Sequence, residues 1–338
     1  MTGLLNNLCS INGVSGDEQR VRGFIESRIS GSCESIHTDA LGNLIAFKKG
    51  RSAGKKFMVC AHMDEVGFII THINSDGTLS FSEVGGIDPS VVIGRQVLVG
   101  KDMINGVVGS TAVHNLSKEA REKPPTFSGM SIDIGASSKE EAEKYVSPGD
   151  CAYFCPDFMM LGSRIKSKAI DDRAGCAMMI RLMEEELPYD TYFVFNVQEE
   201  IGLRGSAASA FSVAPDFALV LEATTAADID GVSGGKKVCC LGGGPVVSFM
   251  DRRTIYDKEM YRLAFDTAAE LGLPCQTKTA VAGGNDAGAI HISGKGVRTL
   301  AVSLPCRYLH SPACVIESAD LDSTYRLVRE LVRRIPEL

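Results

Sequence analysis

The 338-residue chain predicts an α/β fold, a mixed sheet flanked by helices, with a second, mostly β domain inserted into it. Three observations carry this expectation. Apolar strands (FMVCAHMD, TYFVFNV, FALVLEA, TLAVSL) alternate with helical stretches, the pattern of a sheet covered on both faces. Between residues 70 and 162 that alternation gives way to short strands and frequent turns: INSDGTLSFSEV, RQVLVG, NGVVGS, SIDIGA and GDCAYF. The length suits two domains better than one small core. The expected division is an α/β domain from residues 1–69 and 163–338, with a β-rich insertion at 70–162.

The elements follow in order. Ser15 to Ser30 opens with a capping residue and acids, then places Val21, Phe24, Ile25 and Ile29 on one helical face. After Asn43 the chain takes strand character. KEAREKPPTFSGMS in the insertion reads as an exposed loop. From Ile170, DDRAGCAMMIRLMEEEL reads as a helix, and further helices are expected over Asp257–Leu271 and Asp320–Arg334. The glycine runs Gly242–Gly244 and Gly283–Gly284 mark loops.

Composition excludes several classes. A net charge of -7 without a Lys/Arg run argues against a nucleic-acid partner. No apolar stretch approaches the roughly 18 residues of a membrane span. The N-terminus lacks a signal-peptide pattern, so a cytoplasmic location is expected. Eleven cysteines, an odd number with several inside apolar runs, fit a reducing compartment and buried thiols. Cys151 and Cys155 have a local metal spacing but no second pair beside them.

Chemistry concentrates at segment ends. His62 ends the buried run in VCAHMDE, where ligands of open α/β sheets bind, and Asp64 stands two residues on. A carboxylate there can accept the second imidazole N–H and fix the tautomer. Asp171 and Asp172 open a helix, a position that ordinary capping also explains. Glu199 and Glu200 are adjacent at a strand end, and nearby cations would offset their repulsion. Glu222 closes FALVLEA, and His310 lies in the loop RYLHSP after TLAVSL. Each is weak alone; together, two histidines and three carboxylates at strand ends can hold two divalent ions, with Glu199 left as a base. Of the other histidines, His37 and His72 read as solvated, His291 as packed, and His114 as able to reach a neighbouring subunit.

AHMDEVGFII, KAIDDRAG, VQEEIGLRG, GGNDAG and RYLHSP, in this order and with a β insertion after the first, resemble the M42 family of metallo-aminopeptidases over almost the whole chain. The resemblance implies a fold of the di-zinc exopeptidase kind and two divalent ions, most often Zn2+, with Co2+ or Mn2+ also suited. It implies that Asp171 bridges the ions, with His62 and Glu222 on one and Glu200 and His310 on the other. Glu199 would be general base and acid, and Asp64 would orient His62. Asp286 and Arg307 are candidate substrate-binding residues. The implied partners are short peptides, and the implied assembly is dimers, paired through the insertion, that build a hollow dodecamer.

Some family members carry an endoglucanase or cellulase label. Glycoside hydrolysis ordinarily uses two carboxylates across the sugar rather than a dinuclear centre. Two departures stand out: Glu222 where the family's aminopeptidases usually have Asp, and Asn285 where Thr is expected. The first keeps a carboxypeptidase or deacylase of the same fold in play. A non-catalytic oligomeric scaffold is a further alternative, disfavoured because it needs no Glu199.

Overall fold

The structure, a computed structural model, describes residues 1–338, the side chain of Ala120 excepted. Its strands in chain order are β1 Ser35–Thr38, β2 Leu44–Lys48, β3 Ser52–His62, β4 Gly67–Ile73, β5 Leu79–Val84, β6 Gln96–Val99, β7 Ile104–Ser110, β8 Met130–Asp133 and β9 Cys151–Phe154. There follow β10 Met159–Leu161, β11 Arg164–Ser167, β12 Tyr189–Asn196, β13 Phe217–Thr225, β14 Val246–Val247, β15 Gln276–Thr277, β16 Arg298–Cys306 and β17 Cys314–Glu317. Eight of them form one mixed sheet in the order β1-β2-β12-β3-β13-β16-β14-β15. Its centre, β12-β3-β13-β16, is parallel, and the flanking pairs β2-β12 and β14-β16 are antiparallel. This is the mixed, helix-flanked α/β architecture the sequence predicts.

The parallel strands are apolar on both sides because both sides are covered. Along β3, Phe57, Val59 and Ala61 pack into one core with the helices Gln19–Ile29, Ile170–Met183 and Ser318–Arg334. Met58 and Cys60 alternate onto the other face, against Ala210, Val213, Ala287 and Ile290. The helix Ser318–Arg334 buries Leu321, Leu327, Val328, Leu331 and Val332, the three-and-four spacing of a helix docked along one stripe. The helix Lys258–Glu270 starts where Asp257 accepts the N–H groups of Glu259 and Met260.

Strands β4 to β9 close a barrel in the order β4-β5-β8-β7-β6-β9 around Phe68, Phe81 and Phe154. The barrel strands run from Gly67 to Phe154. Met159–Leu161, inside the span expected for the insertion, instead pairs with β11 and, through it, with β17. His37 and His72 are exposed on β1 and β4, and His114 is exposed on a short turn at Val113–Asn115. His291 is half-buried, its Nδ1 2.8 Å from the Ala287 carbonyl.

Two local expectations change. The helix expected from Ser15 begins only at Gln19, because Val14 to Glu18 makes a turn that pairs with Glu65. A short helix not foreseen, Thr2–Cys9, buries Leu4, Leu5 and Leu8 in the main core. Among the described residues, no helix is long and apolar enough to cross a membrane.

Candidate metal centre

The parallel strands end at one rim, and the ligand-type side chains converge there. His62 is the last residue of β3 and lies level with Asn196, the last of β12. Glu199 and Glu200 follow within a few residues, and Glu222 sits beside Ser303 where β13 meets β16. His310 comes from the loop after β16, and Asp171 from the first turn of the helix Ile170–Met183. That turn is not an ordinary cap: Asp171 and Asp172 have non-helical backbone angles and a cis peptide between them.

The five residues form two groups that share Asp171. His62, Asp171 and Glu222 make one, and Asp171, Glu200 and His310 the other, with the ligand atoms of each within 4.8 Å of one another. His62 Nε2 lies 3.3 Å from Asp171 Oδ1 and 3.3 Å from Glu222 Oε1. His310 Nε2 lies 3.5 Å from Asp171 Oδ2 and 3.3 Å from Glu200 Oε2. Asp171 thus presents one oxygen to each group.

Both imidazoles are fixed from behind. His62 Nδ1 donates to the Asp64 carbonyl at 3.1 Å, and His310 Nδ1 donates to the Gly86 carbonyl at 2.8 Å. A carbonyl only accepts, so each neutral ring keeps its proton on Nδ1 and turns an Nε2 lone pair toward two carboxylates. Lone pairs facing carboxylates require a proton or a cation between them. Glu222 Oε2 is moreover buried with no hydrogen-bond partner among the described residues. The donor set therefore fits a pair of divalent cations.

The electrostatics point the same way. Burial pushes Glu199 and Glu222 well above the ordinary carboxylate range, with Glu200 and Asp171 respectively adding repulsion, and Glu200 rises to about 7. Burial lowers the imidazoles, but Glu222, Asp171 and Asp64 together outweigh it at His62, and Asp171 with Glu200 raises His310 to about 10. Burial also raises Asp171, but the two histidines outweigh it and hold it low. The cluster carries more negative charge than its burial tolerates, which bound cations would relieve.

Asp64 does more than the spacing suggested. Its carboxylate is 3.4 Å from His62 Nδ1, but Ser15 Oγ donates to it at 2.6 Å, and the Glu199 and Glu200 N–H groups donate at 3.1 Å each. The HMDE turn is held in turn by Glu65, which accepts from Lys168 Nζ at 2.6 Å and from the Gly13 N–H at 2.9 Å. Gln198, Tyr308 and His310 all have positive φ, conformations found where neighbours over-determine the backbone.

Both substrate-binding candidates are engaged by other side chains. Asp286 is buried, its Oδ2 accepting from Asn196 Nδ2 at 2.8 Å. Arg307 is locked in a bidentate pair with Asp228, Nε at 2.7 Å and Nη2 at 2.8 Å, and is not among the residues lining the cleft. The cleft, about 240 Å³ of space that water can occupy, is lined instead by Glu199, Glu222, Thr225, Lys278, Asn285 and His310, among others. Lys278 was not foreseen. It lies just before GGNDAG, and no motif or periodicity distinguishes it in the sequence. Asn285 holds the Ala287 N–H and the Tyr256 hydroxyl, so its departure from Thr keeps a polar anchor.

Comparison with known proteins gives the class. The fold superposes on an aminopeptidase of the archaeon Desulfurococcus kamchatkensis with a TM-score of 0.94, at 33% identity, over 99% of this chain and 95% of that one. It superposes on the TET1 peptidase of Pyrococcus horikoshii, which can assemble into a tetrahedron or a large octahedral shell, at 0.86, 33% identity and 98% of each chain. In sequence it is 41% identical over 334 residues to a protein of Acetivibrio thermocellus named as a candidate aminopeptidase, covering 98% of each. The protein is an aminopeptidase, a peptide hydrolase. The model of the M42 glutamyl aminopeptidases matches residues 42–327, and the chain belongs to that metal-dependent family.

Proposed function

We propose that this protein is a two-cation aminopeptidase that removes N-terminal residues from short peptides. The observation that carries the reading is the pair of His/carboxylate groups sharing Asp171. His62, Asp171 and Glu222 would hold one cation, and Asp171, Glu200 and His310 the other. Imidazole and carboxylate ligands suit Zn2+, with Co2+ or Mn2+ as alternatives. Once bound, such a pair acidifies water and polarises the scissile carbonyl.

The chain's own residues supply the rest. Glu199, a neighbour of both groups and part of the cleft wall, takes the proton from water on its carboxylate and returns it to the leaving amine. Asp64 holds the Glu199 backbone, and the Gly86 carbonyl keeps His310 in its ligating tautomer. Glu199 in the cleft wall favours a positively charged substrate end, the free α-amine, over a C-terminal carboxylate. Lys278 lines the same cleft and forms no ion pair among the described residues, which supports acidic N-terminal side chains.

We extend the shell-forming behaviour of the Pyrococcus horikoshii relative to this chain, as dimers building a dodecamer in the cytoplasm. The β-rich insertion at 70–162 would carry the dimer contact; exposed Val107, Val113 and Tyr145 on it support that assignment. A carboxypeptidase or deacylase on the same centre is the second reading, and Glu222 favours it. Titration of cation-stripped protein with Zn2+, Co2+ or Mn2+ tests the proposal. Hydrolysis of Leu- and Glu-p-nitroanilide should reach its plateau at two equivalents per protomer. A plateau at one, or full activity in chelator, contradicts it.

A further inference from the structure

Three successive backbone N–H groups leave the end of β12 pointing at buried carboxylates. Gln198 donates to Glu18 Oε1 at 3.2 Å, and Glu199 and Glu200 donate to Asp64 at 3.1 Å each. Gln198 has φ +56°, a region in which a side chain bearing a Cβ stays only when held. Glu18 is itself held. It is 4% exposed, and the same Oε1 accepts the Gly16 N–H at 2.8 Å. Next to it, Asp17 accepts from the Tyr153 hydroxyl on β9, which ties the loop to the barrel. A buried carboxylate that neither caps its own helix by its side chain nor forms an ion pair would be costly unless it served its N–H partners.

We propose that Glu18 is a positioning residue for the peptide-bond hydrolysis, acting through the Gln198 N–H on the turn that aims Glu199. Glu18 touches neither substrate nor cation. It fixes the first N–H of the turn, Asp64 fixes the next two, and together they set the direction of the Glu199 side chain. The N-terminal loop at 13–18 is thereby part of the machinery: Ser15 braces Asp64 at 2.6 Å while Glu18 braces Gln198. The inference rests on Glu199 as the proton carrier.

Glu18→Met fills the volume without an acceptor, Glu18→Gln keeps an oxygen for both N–H groups, and Glu199→Gln is the control. All are measured as kcat and KM per folded, cation-loaded protomer, with cation content read by mass spectrometry. Glu18→Met should lose about 10- to 100-fold in kcat, the usual cost of loosening an outer support, with KM within about twofold and cation content unchanged. Glu18→Gln should recover to within about threefold of wild type. Should Glu18→Met not fold, Glu18→Ala carries the same expectation. A kcat within about twofold of wild type in Glu18→Met overturns the inference, as does a Glu18→Gln that falls equally far or a loss that tracks lost cation. An active Glu199→Gln would instead sink the proton-carrier reading; an inactive one beside an unimpaired Glu18→Met sinks only the role of Glu18.

Discussion

The Asp64 carboxylate accepts the backbone N–H of Glu199 at 3.1 Å, although 135 residues separate them in the chain. A buried anion thereby fixes the main chain of the residue whose side chain enters the cleft, so aim and proton transfer are assigned to different groups. Orientation by such outer partners is what gives a buried centre its rate.

Glu199→Gln keeps the shape of the side chain and removes its proton chemistry. Turnover should fall about 10²- to 10⁴-fold while two cations per protomer remain bound. Rate measurements beside elemental analysis check this, and retained activity would remove Glu199 from the mechanism.

Asp171→Asn removes the charge shared by both groups. Bound cation should fall below two per protomer, read by elemental mass spectrometry. In the wild type the burial-raised carboxylates and the carboxylate-raised His310 hold protons that cations displace, so loading releases protons and tightens as pH rises. Indicator-dye measurements should show that release; cation uptake without it would contradict the arrangement.

Lys278→Met should narrow the preference for acidic N-terminal residues. The kcat/KM for Glu-p-nitroanilide should drop about three- to tenfold relative to Leu-p-nitroanilide, and raised salt should shrink the wild-type preference. An unchanged ratio would place the specificity elsewhere.

Arg307→Met should act on stability rather than on KM. The Arg307 guanidinium holds Asp228 below its ordinary range, so the pair's stabilisation is present above the unfolded carboxyl's value and is lost as pH falls through the folded one. Urea unfolding should show a loss of about 2 kcal/mol at pH 7 that shrinks below pH of about 4. A raised KM at unchanged stability would make Arg307 a substrate contact.

What the sequence revealed follows from locality. His62, Glu199, Glu200 and Glu222 stand at or just past the ends of apolar runs, and strand ends in a parallel sheet meet at one rim whatever the loops do. The order of strands and the closure of the barrel are long-range pairings, with no local mark in the chain. Asp171 reads as a helix cap because acids at helix starts are common, and its backbone departs from that pattern only in three dimensions. Glu18 reads as helix-opening charge, since its partner Gln198 lies 180 residues away. The partners that hold Arg307 and Asp286, Asp228 and Asn196, lie 79 and 90 residues away in the chain and leave no local mark.

The most direct test of the account is cleavage of one short peptide, presented free, N-acetylated and C-amidated, by cation-loaded protein with products read by mass spectrometry. The account predicts stepwise loss from the amino end of the free and amidated forms, abolished by acetylation and by chelator. Release of the acetyl group, loss of C-terminal residues, or no cleavage with two cations bound would contradict it.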